Sequence, residues 1–284
     1  IGAESMIEPS RGVHIVLDRE FLAGSSAIMV PHTADKRVMF AIPWHHVVVI
    51  GTTDTPVEEV SLEPHGTMEE INFILETANR YLERPAGLHD IRSVYAGIRP
   101  LARHIGVSRT ASLSREHVIH IDPTTGLVTI AGGKWTTYRR MAEDLVDQAA
   151  VLAELERVPC PTQTLRLHGY AEGIDPADPL SVYGSDAPHL AALELEQPDL
   201  AKPIHARLPV RGSQVAWAAR QEMARTVDDV LARRTRCLLF DAAASIEAAP
   251  GVASILAREL GRDDAWSRQQ LETFSGIAAG YLAG

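Results

Sequence analysis

The stretch Ala131-Gly132-Gly133-Lys134-Trp135-Thr136-Thr137-Tyr138-Arg139-Arg140 runs from a strand end through a glycine pair and a lysine into a threonine-started helix. Two glycines let the backbone turn and approach a ligand closely, while the free N–H groups and positive dipole end of the helix favour negative charge. A phosphate or an electron-rich ring oxygen suits such a spot; an ordinary strand-to-helix turn with a solvated Lys134 is the plainer alternative. Arg99 stands in a Gly-x-Arg-Pro turn that restricts the backbone and aims a planar guanidinium fork, the geometry that suits phosphate; a surface pair with a carboxylate is its alternative. Arg115, before the strand at His117, is a second such cation in a less distinctive Ser-Arg-Glu setting. His14, between Gly12 and apolar strand residues, has an imidazole whose pKa near neutrality suits a general base, and a structural role suits it equally. Thr52, Thr53 and Asp54 read as a turn held by side-chain hydrogen bonds. His45 and His46 are neighbours on a strand, so they point to opposite faces and share no ion; no metal site is read.

The elements that must position these residues are mainly strands up to residue 131: Gly12 to Leu17, Ala27 to Val30, Arg37 to Ile42, His46 to Gly51, His117 to Ile121 and Leu127 to Ala131, each short and bounded by turn residues. Asp122 to Gly126 reads as the hairpin loop between the last two. A helix over Thr67 to Leu82 packs on this sheet, with Thr67 as its cap and Glu70 three residues on. The helix that opens at Thr137 keeps Met141, Leu145 and Ala149 on one stripe. Residues 159 to 209, dense in Pro, Gly, Asp and Ser, read as a linker or loosely ordered subdomain. Helical patterns follow over Ser213 to Ala224, Thr226 to Arg236, Asp241 to Leu260 with a break at Pro250-Gly251, and Asp263 to Leu282. The domains expected are therefore an α+β portion over 1–158, the linker over 159–209 and a helical C-terminal domain over 210–284.

With 284 residues and 45% hydrophobic content the chain has the composition of a globular protein, and a net charge of -10 argues against broad nucleic-acid binding. Cys160 and Cys237 form neither a disulfide framework nor a zinc spacing, which fits a cytoplasmic setting. No apolar run reaches the length of a membrane span. No strand runs into G-x-G-x-x-G opening a helix, the arrangement of a dinucleotide pyrophosphate site, and the chain begins at Ile1 like the interior of a longer protein.

Five motifs in order, Gly12-Val13-His14-Ile15-Val16, Ile42-Pro43-Trp44, Ile50-Gly51-Thr52-Thr53-Asp54-Thr55, Tyr95-Ala96-Gly97-Ile98-Arg99-Pro100-Leu101 and Gly132 to Arg139, resemble FAD-dependent, quinone-linked glycerol-3-phosphate dehydrogenases, and Ala224 to Arg236 looks like that family's helical C-terminal domain. The resemblance implies an FAD-dependent oxidoreductase of the D-amino-acid-oxidase type, lacking its N-terminal FAD-binding segment: an α+β substrate-binding portion with a mixed or antiparallel sheet and packed helices, then the helical domain. It implies oxidation of sn-glycerol 3-phosphate to dihydroxyacetone phosphate, with a hydride passing to FAD and electrons to a membrane quinone. It further implies His14 and Lys134 as catalytic groups, and Arg99, Arg115 and Lys134 as substrate-binding residues. Gly132, Gly133, Lys134, Thr136 and Thr137 would hold the flavin. The partners implied are glycerol 3-phosphate, the quinone, the absent N-terminal segment and a second copy in a homodimer, with peripheral attachment to the inner membrane face. A related polyol-phosphate dehydrogenase, and a binding module without redox activity, are the alternatives.

Overall fold

The computed structural model describes residues 7–22, 24–31, 33, 37–102, 117–156, 158–175 and 178–283. The chain forms two compact units, one drawn from 1–11, 54–62 and 97–167 and the other from 12–53, 63–96 and 168–284.

In the larger unit, residues 12–18 of strand β1 (Ile7–Asp18) line up antiparallel with β2 (Ile28–Val30), β3 (Met39–Trp44) and β4 (Val47–Gly51) in the order β2-β3-β4-β1, and β6 (Ser93–Ala102), of which residues 93–96 belong to this unit, pairs with β1. Helix α1 (Met68–Ala78) packs on one face, its Ile71, Ile74 and Leu75 against Val13, Ile15, Leu17, Met39, Val48 and Ile50. That packing follows from the period of two in the strands meeting the 3.6-residue period of the helix. The expected cap is present: the Thr67 side chain accepts the Glu70 N–H, and a Glu70 carboxylate oxygen accepts the Thr67 N–H at 3.0 Å. The helix ends at Ala78, a turn earlier than the apolar pattern alone carries it.

The same unit contains the helices α3 (Ala187–Glu196), α4 (Gly212–Gln221), α5 (Cys237–Phe240), α6 (Ala242–Leu260) and α7 (Asp264–Ala279), with a π-helical turn over Asp229–Arg234. Segment 159–209 contributes α3 and buries Leu190, Leu193 and Leu200. The expected interruption at Pro250-Gly251 does not occur, because α6 continues through Pro250 to Leu260. Proline removes one backbone donor from a helix, at a cost of about 3 kcal/mol in the interior. Burial of Ala248, Ala249, Val252, Ala253 and Leu256 in the core around Val230, Leu231, Leu238 and Phe274 offsets that loss. The expected Thr226–Arg236 helix is instead the π-helical turn, and Arg236, left-handed at φ 58° and ψ 20°, separates it from α5.

Arg92 ties sheet to helices. Its guanidinium meets Asp18 at 2.7 Å and the Asp241 carboxylate at 2.6 Å. Its N–H donates to the Val16 carbonyl, and its own carbonyl accepts the Ala242 N–H. Asp241 is 2% exposed and also caps α6 by accepting the Ala244 N–H at 2.8 Å. His45 and His46 form the two-residue turn between β3 and β4, and both rings approach the Phe240 ring, with centroids 5.4 Å away in each case. They therefore meet one aromatic side chain instead of facing apart as strand neighbours. Burial, with the charges of His45 and Arg92, lowers the His46 pKa.

In the smaller unit, β5 (Thr55–Pro56) pairs with the start of β1, and β7 (His117–Ile121) with β8 (Val128–Gly132) forms a hairpin. The hairpin loop is as expected: the Asp122 carboxylate accepts the Thr124 and Thr125 N–H groups and Gly126 takes φ 71°. Helix α2 (Tyr138–Leu152) follows, but Met141, Leu145 and Ala149 are only half-buried, and no residue of α2 is fully covered.

Replacing Arg92 by Met strands a buried Asp241 carboxylate, with the Arg207 guanidinium 3.6 Å away as its remaining ion-pair partner. Denaturant unfolding of Arg92→Met should show a loss of about 3 kcal/mol, and adding Asp241→Asn should recover part of it.

Candidate active site

The face of the sheet opposite α1 is where the chemistry-bearing histidine sits. Strand alternation buries Met39 and Ala41 beneath β3 and turns Phe40, Ile42 and Trp44 to the other side. With Val49, Gly51, His14 and Tyr95 these residues line a cavity of about 350 Å³. Phe240 packs beside these residues, with Val16, Val47, Trp44, Val49 and Tyr95.

Gly51 is the position on which this face turns. It lies opposite His14 on β1 and opposite Phe40 on β3. The His14 ring occupies the space a side chain would fill: a Cβ on residue 51 would stand 2.9 Å from His14 Cγ and 3.0 Å from its Nε2. The Tyr95 ring stacks on the same imidazole, 5.1 Å between centroids and 11° from parallel. Burial pushes the Tyr95 hydroxyl up to about 12, so the phenol stays neutral near pH 7. His14 is thereby fixed in place on an apolar, aromatic surface.

The turn after Gly51 is anchored as well. The Thr53 hydroxyl accepts the Val13 N–H at 3.0 Å and donates to Glu70 at 3.0 Å, while the other Glu70 oxygen serves the α1 cap. One carboxylate thus joins the start of α1 to the strand residue beside His14. The Thr52 hydroxyl donates to the Thr53 carbonyl, so these threonines form the hydrogen-bonded turn that their sequence indicates.

In the smaller unit, Arg99 lies on β6 and reaches Asp54 at 3.5 Å, and Asp54 also accepts the Ser10 hydroxyl. The glycine-lysine segment adopts the expected turn, with Gly132 at φ 75° and Gly133 at φ 83°. A Cβ on Gly133 would collide with the Met141 side chain, its Cε 2.6 Å away, so the glycine also lets α2 close on the turn. Lys134, Trp135, Thr136 and Thr137 are exposed, and Trp135 stacks on Tyr138 at 5.1 Å. The Thr137 hydroxyl donates to the Lys134 carbonyl and accepts the Lys134 N–H, closing the first turn. Arg139 and Arg140 pair with Glu143 and Asp144 of their own helix. Lys134 makes no ion pair among the described residues. Arg115 lies outside the described residues.

Gly51, Tyr95 and Ile42 stand in the motifs quoted above without a role assigned to them, and Phe40 in none. A signal was present: β3 carries large apolar residues on both alternating sets, which is unexpected for a strand with one solvated face. Among the described residues no group of three or more His, Cys, Asp or Glu could hold a metal, and both cysteines are free, with burial pushing the Cys237 thiol up to about 12.

Two family models match the chain, one described as FAD dependent oxidoreductase over residues 1–139 and one as the C-terminal domain of alpha-glycerophosphate oxidase over 124–269. The chain belongs to the FAD-dependent oxidoreductases that carry this C-terminal domain. It is 36% identical to the human mitochondrial glycerol-3-phosphate dehydrogenase over 95% of its own length and 40% of the relative's. It is 36% identical to the probable mitochondrial glycerol-3-phosphate dehydrogenase of Caenorhabditis elegans, with the same shares covered. An Arabidopsis thaliana mitochondrial glycerol-3-phosphate dehydrogenase is 38% identical over 94% of the chain and 47% of that protein. Among solved structures, the glycerol-3-phosphate dehydrogenase of Bacillus halodurans, complexed with FAD, matches with a TM-score of 0.78 and 26% identity, covering 97% of this chain and 57% of that one. The chain thus spans less than half the length of these curated relatives.

Gly51→Ala should displace the His14 imidazole and destabilise the larger unit by about 1–3 kcal/mol. Urea unfolding with the His14 ring proton shifts checks this; unaltered stability with unaltered shifts would contradict the placement.

Proposed function

We propose that this chain supplies the substrate side of an FAD-dependent dehydrogenase that oxidises sn-glycerol 3-phosphate to dihydroxyacetone phosphate and passes the electrons to a membrane quinone. The observation that carries the reading is the His14 imidazole held between Gly51 and Tyr95 on an apolar face, in a chain of this flavoenzyme family. The relatives' names supply the substrate, and their flavin family supplies the redox chemistry.

The residues present fit the flavin. The left-handed Gly132-Gly133 turn opens the backbone, and Lys134 brings an exposed ammonium without an ion-pair partner among the described residues. The first-turn N–H of Thr136 lies where helix donors lack intrahelical acceptors. Gly132, Gly133, Lys134, Thr136 and Thr137 would hold its pyrimidine edge, while its dinucleotide half would rest on a segment with the glycine fingerprint this sequence does not contain. FAD, when bound, supplies the two-electron acceptor for the hydrogen on the substrate's secondary carbon.

His14 takes the proton of the secondary hydroxyl as the carbonyl forms. Arg99, whose guanidinium lies 3.5 Å from the Asp54 carboxylate, would hold the phosphate through its planar fork. Arg115 is the second phosphate cation, and Lys134 adds positive charge beside phosphate or flavin. No helix among the described residues is long and apolar enough to cross a membrane; contact with the quinone would then be made by peripheral attachment.

Single-turnover bleaching of flavin absorbance by sn-glycerol 3-phosphate tests the assignment in the FAD-loaded enzyme. Arg99→Ala should lower kcat/KM by about 100-fold or more, roughly 3 kcal/mol, and His14→Asn should lower the bleaching rate at saturating substrate. Unchanged values in both variants would remove these residues from the reaction.

A further inference from the structure

Beyond the face that bears His14, the larger unit holds a second cavity of about 390 Å³, within the range of small-molecule sites. Its cations are Arg234 and Arg236, and neither makes an ion pair among the described residues. The Arg234 Nε donates to the Glu222 carbonyl at 2.8 Å, an acceptor that carries no full charge and leaves the outer guanidinium nitrogens to a ligand. The Arg236 guanidinium lies over the Trp44 ring, 5.7 Å from its centroid.

The backbone around these arginines is unusual. Arg236 holds φ 58°, a left-handed conformation costly for a residue with a side chain and free for glycine. The residues just before it form the π-helical turn, a form common at functional sites. The Thr235 hydroxyl locks that turn by donating to the Val230 carbonyl at 2.7 Å. His45, at φ 52° in its hairpin turn, lines the same cavity. A sequence that places arginine where glycine costs nothing, on the wall of a cavity, points from strain to function.

The remaining lining defines what fits. The Gln214 amide donates to the Tyr183 oxygen at 3.3 Å, so Tyr183 keeps its own proton to donate, and burial pushes that hydroxyl up to about 12. Phe240 and Val210 form an apolar wall, while Asp178 and Glu222 stand on the lining as acceptors. Two guanidinium groups call for a phosphate or carboxylate head. Two carboxylates disfavour a ligand that is anionic throughout and accept from hydroxyls instead.

We propose that this cavity binds a small hydroxylated anion, a short polyol carrying one phosphate or carboxylate, at a site separate from the face that bears His14. Because Trp44 both borders the His14 cavity and carries Arg236, occupancy should also register in tryptophan emission.

The test is calorimetric and fluorescence titration of the full chain with glycerol 2-phosphate, inorganic phosphate and glycerol. Saturable binding of glycerol 2-phosphate, at least tenfold weaker binding of inorganic phosphate and none of glycerol are expected. Arg236→Gly, which suits the left-handed backbone and so keeps the fold, and Arg234→Gln should each weaken glycerol 2-phosphate at least tenfold, while Arg99→Ala leaves it unchanged. Absence of saturable binding, equal affinity for both phosphates, or loss with Arg99→Ala but not with Arg236→Gly would overturn the proposal.

Discussion

A missing side chain governs the candidate site. Gly51 stands between His14 and Phe40 in the register of three strands, and only a residue without a Cβ leaves room for the imidazole to lie across β4. Tyr95 then stacks on it, and the carboxylate of Glu70 secures the turn beyond by bonding Thr53. A histidine on a sheet surface would ordinarily sample several rotamers in water. Here the space, the stack and the anchored turn leave it one place, next to an apolar surface that lowers the local dielectric and strengthens any hydrogen bond it makes.

That surface persists because the helices are tied to β1 in the middle of the sheet. Arg92 bonds β1 through Asp18 and the Val16 carbonyl, and bonds the start of α6 through Asp241 and the Ala242 N–H. Phe240, one residue before Asp241, packs beside the aromatic face against Trp44 at 4.6 Å. The ion pair and the aromatic contact are thus consecutive in the chain, so the packing of the helical core is transmitted directly to the residues around the cavity.

Much of this was legible from sequence. Strand periodicity, the Thr67 and Glu70 cap, the Asp122 loop and the turn through Gly132 and Gly133 depend on local chemistry, and each forms as read. What depended on tertiary packing did not show. Pro250 reads as a break, yet alanine packing carries α6 through it. His45 and His46 read as strand neighbours facing apart, yet the tight turn brings both to Phe240. Gly51 and Tyr95 stand in motifs without a role, because their contacts with His14 are visible only once β1, β4 and β6 are side by side, whereas His14 and Arg99 are picked out as candidates by residue type and setting.

On the function proposed above, substrate would meet flavin at the apolar face bearing His14. A crystal structure of the FAD-loaded enzyme with a non-reactive substrate analogue tests it most directly. The analogue's secondary oxygen should lie within hydrogen-bond distance of the His14 imidazole, against Phe40, Ile42 and Trp44. An analogue bound elsewhere, with this face covered by protein, would contradict it.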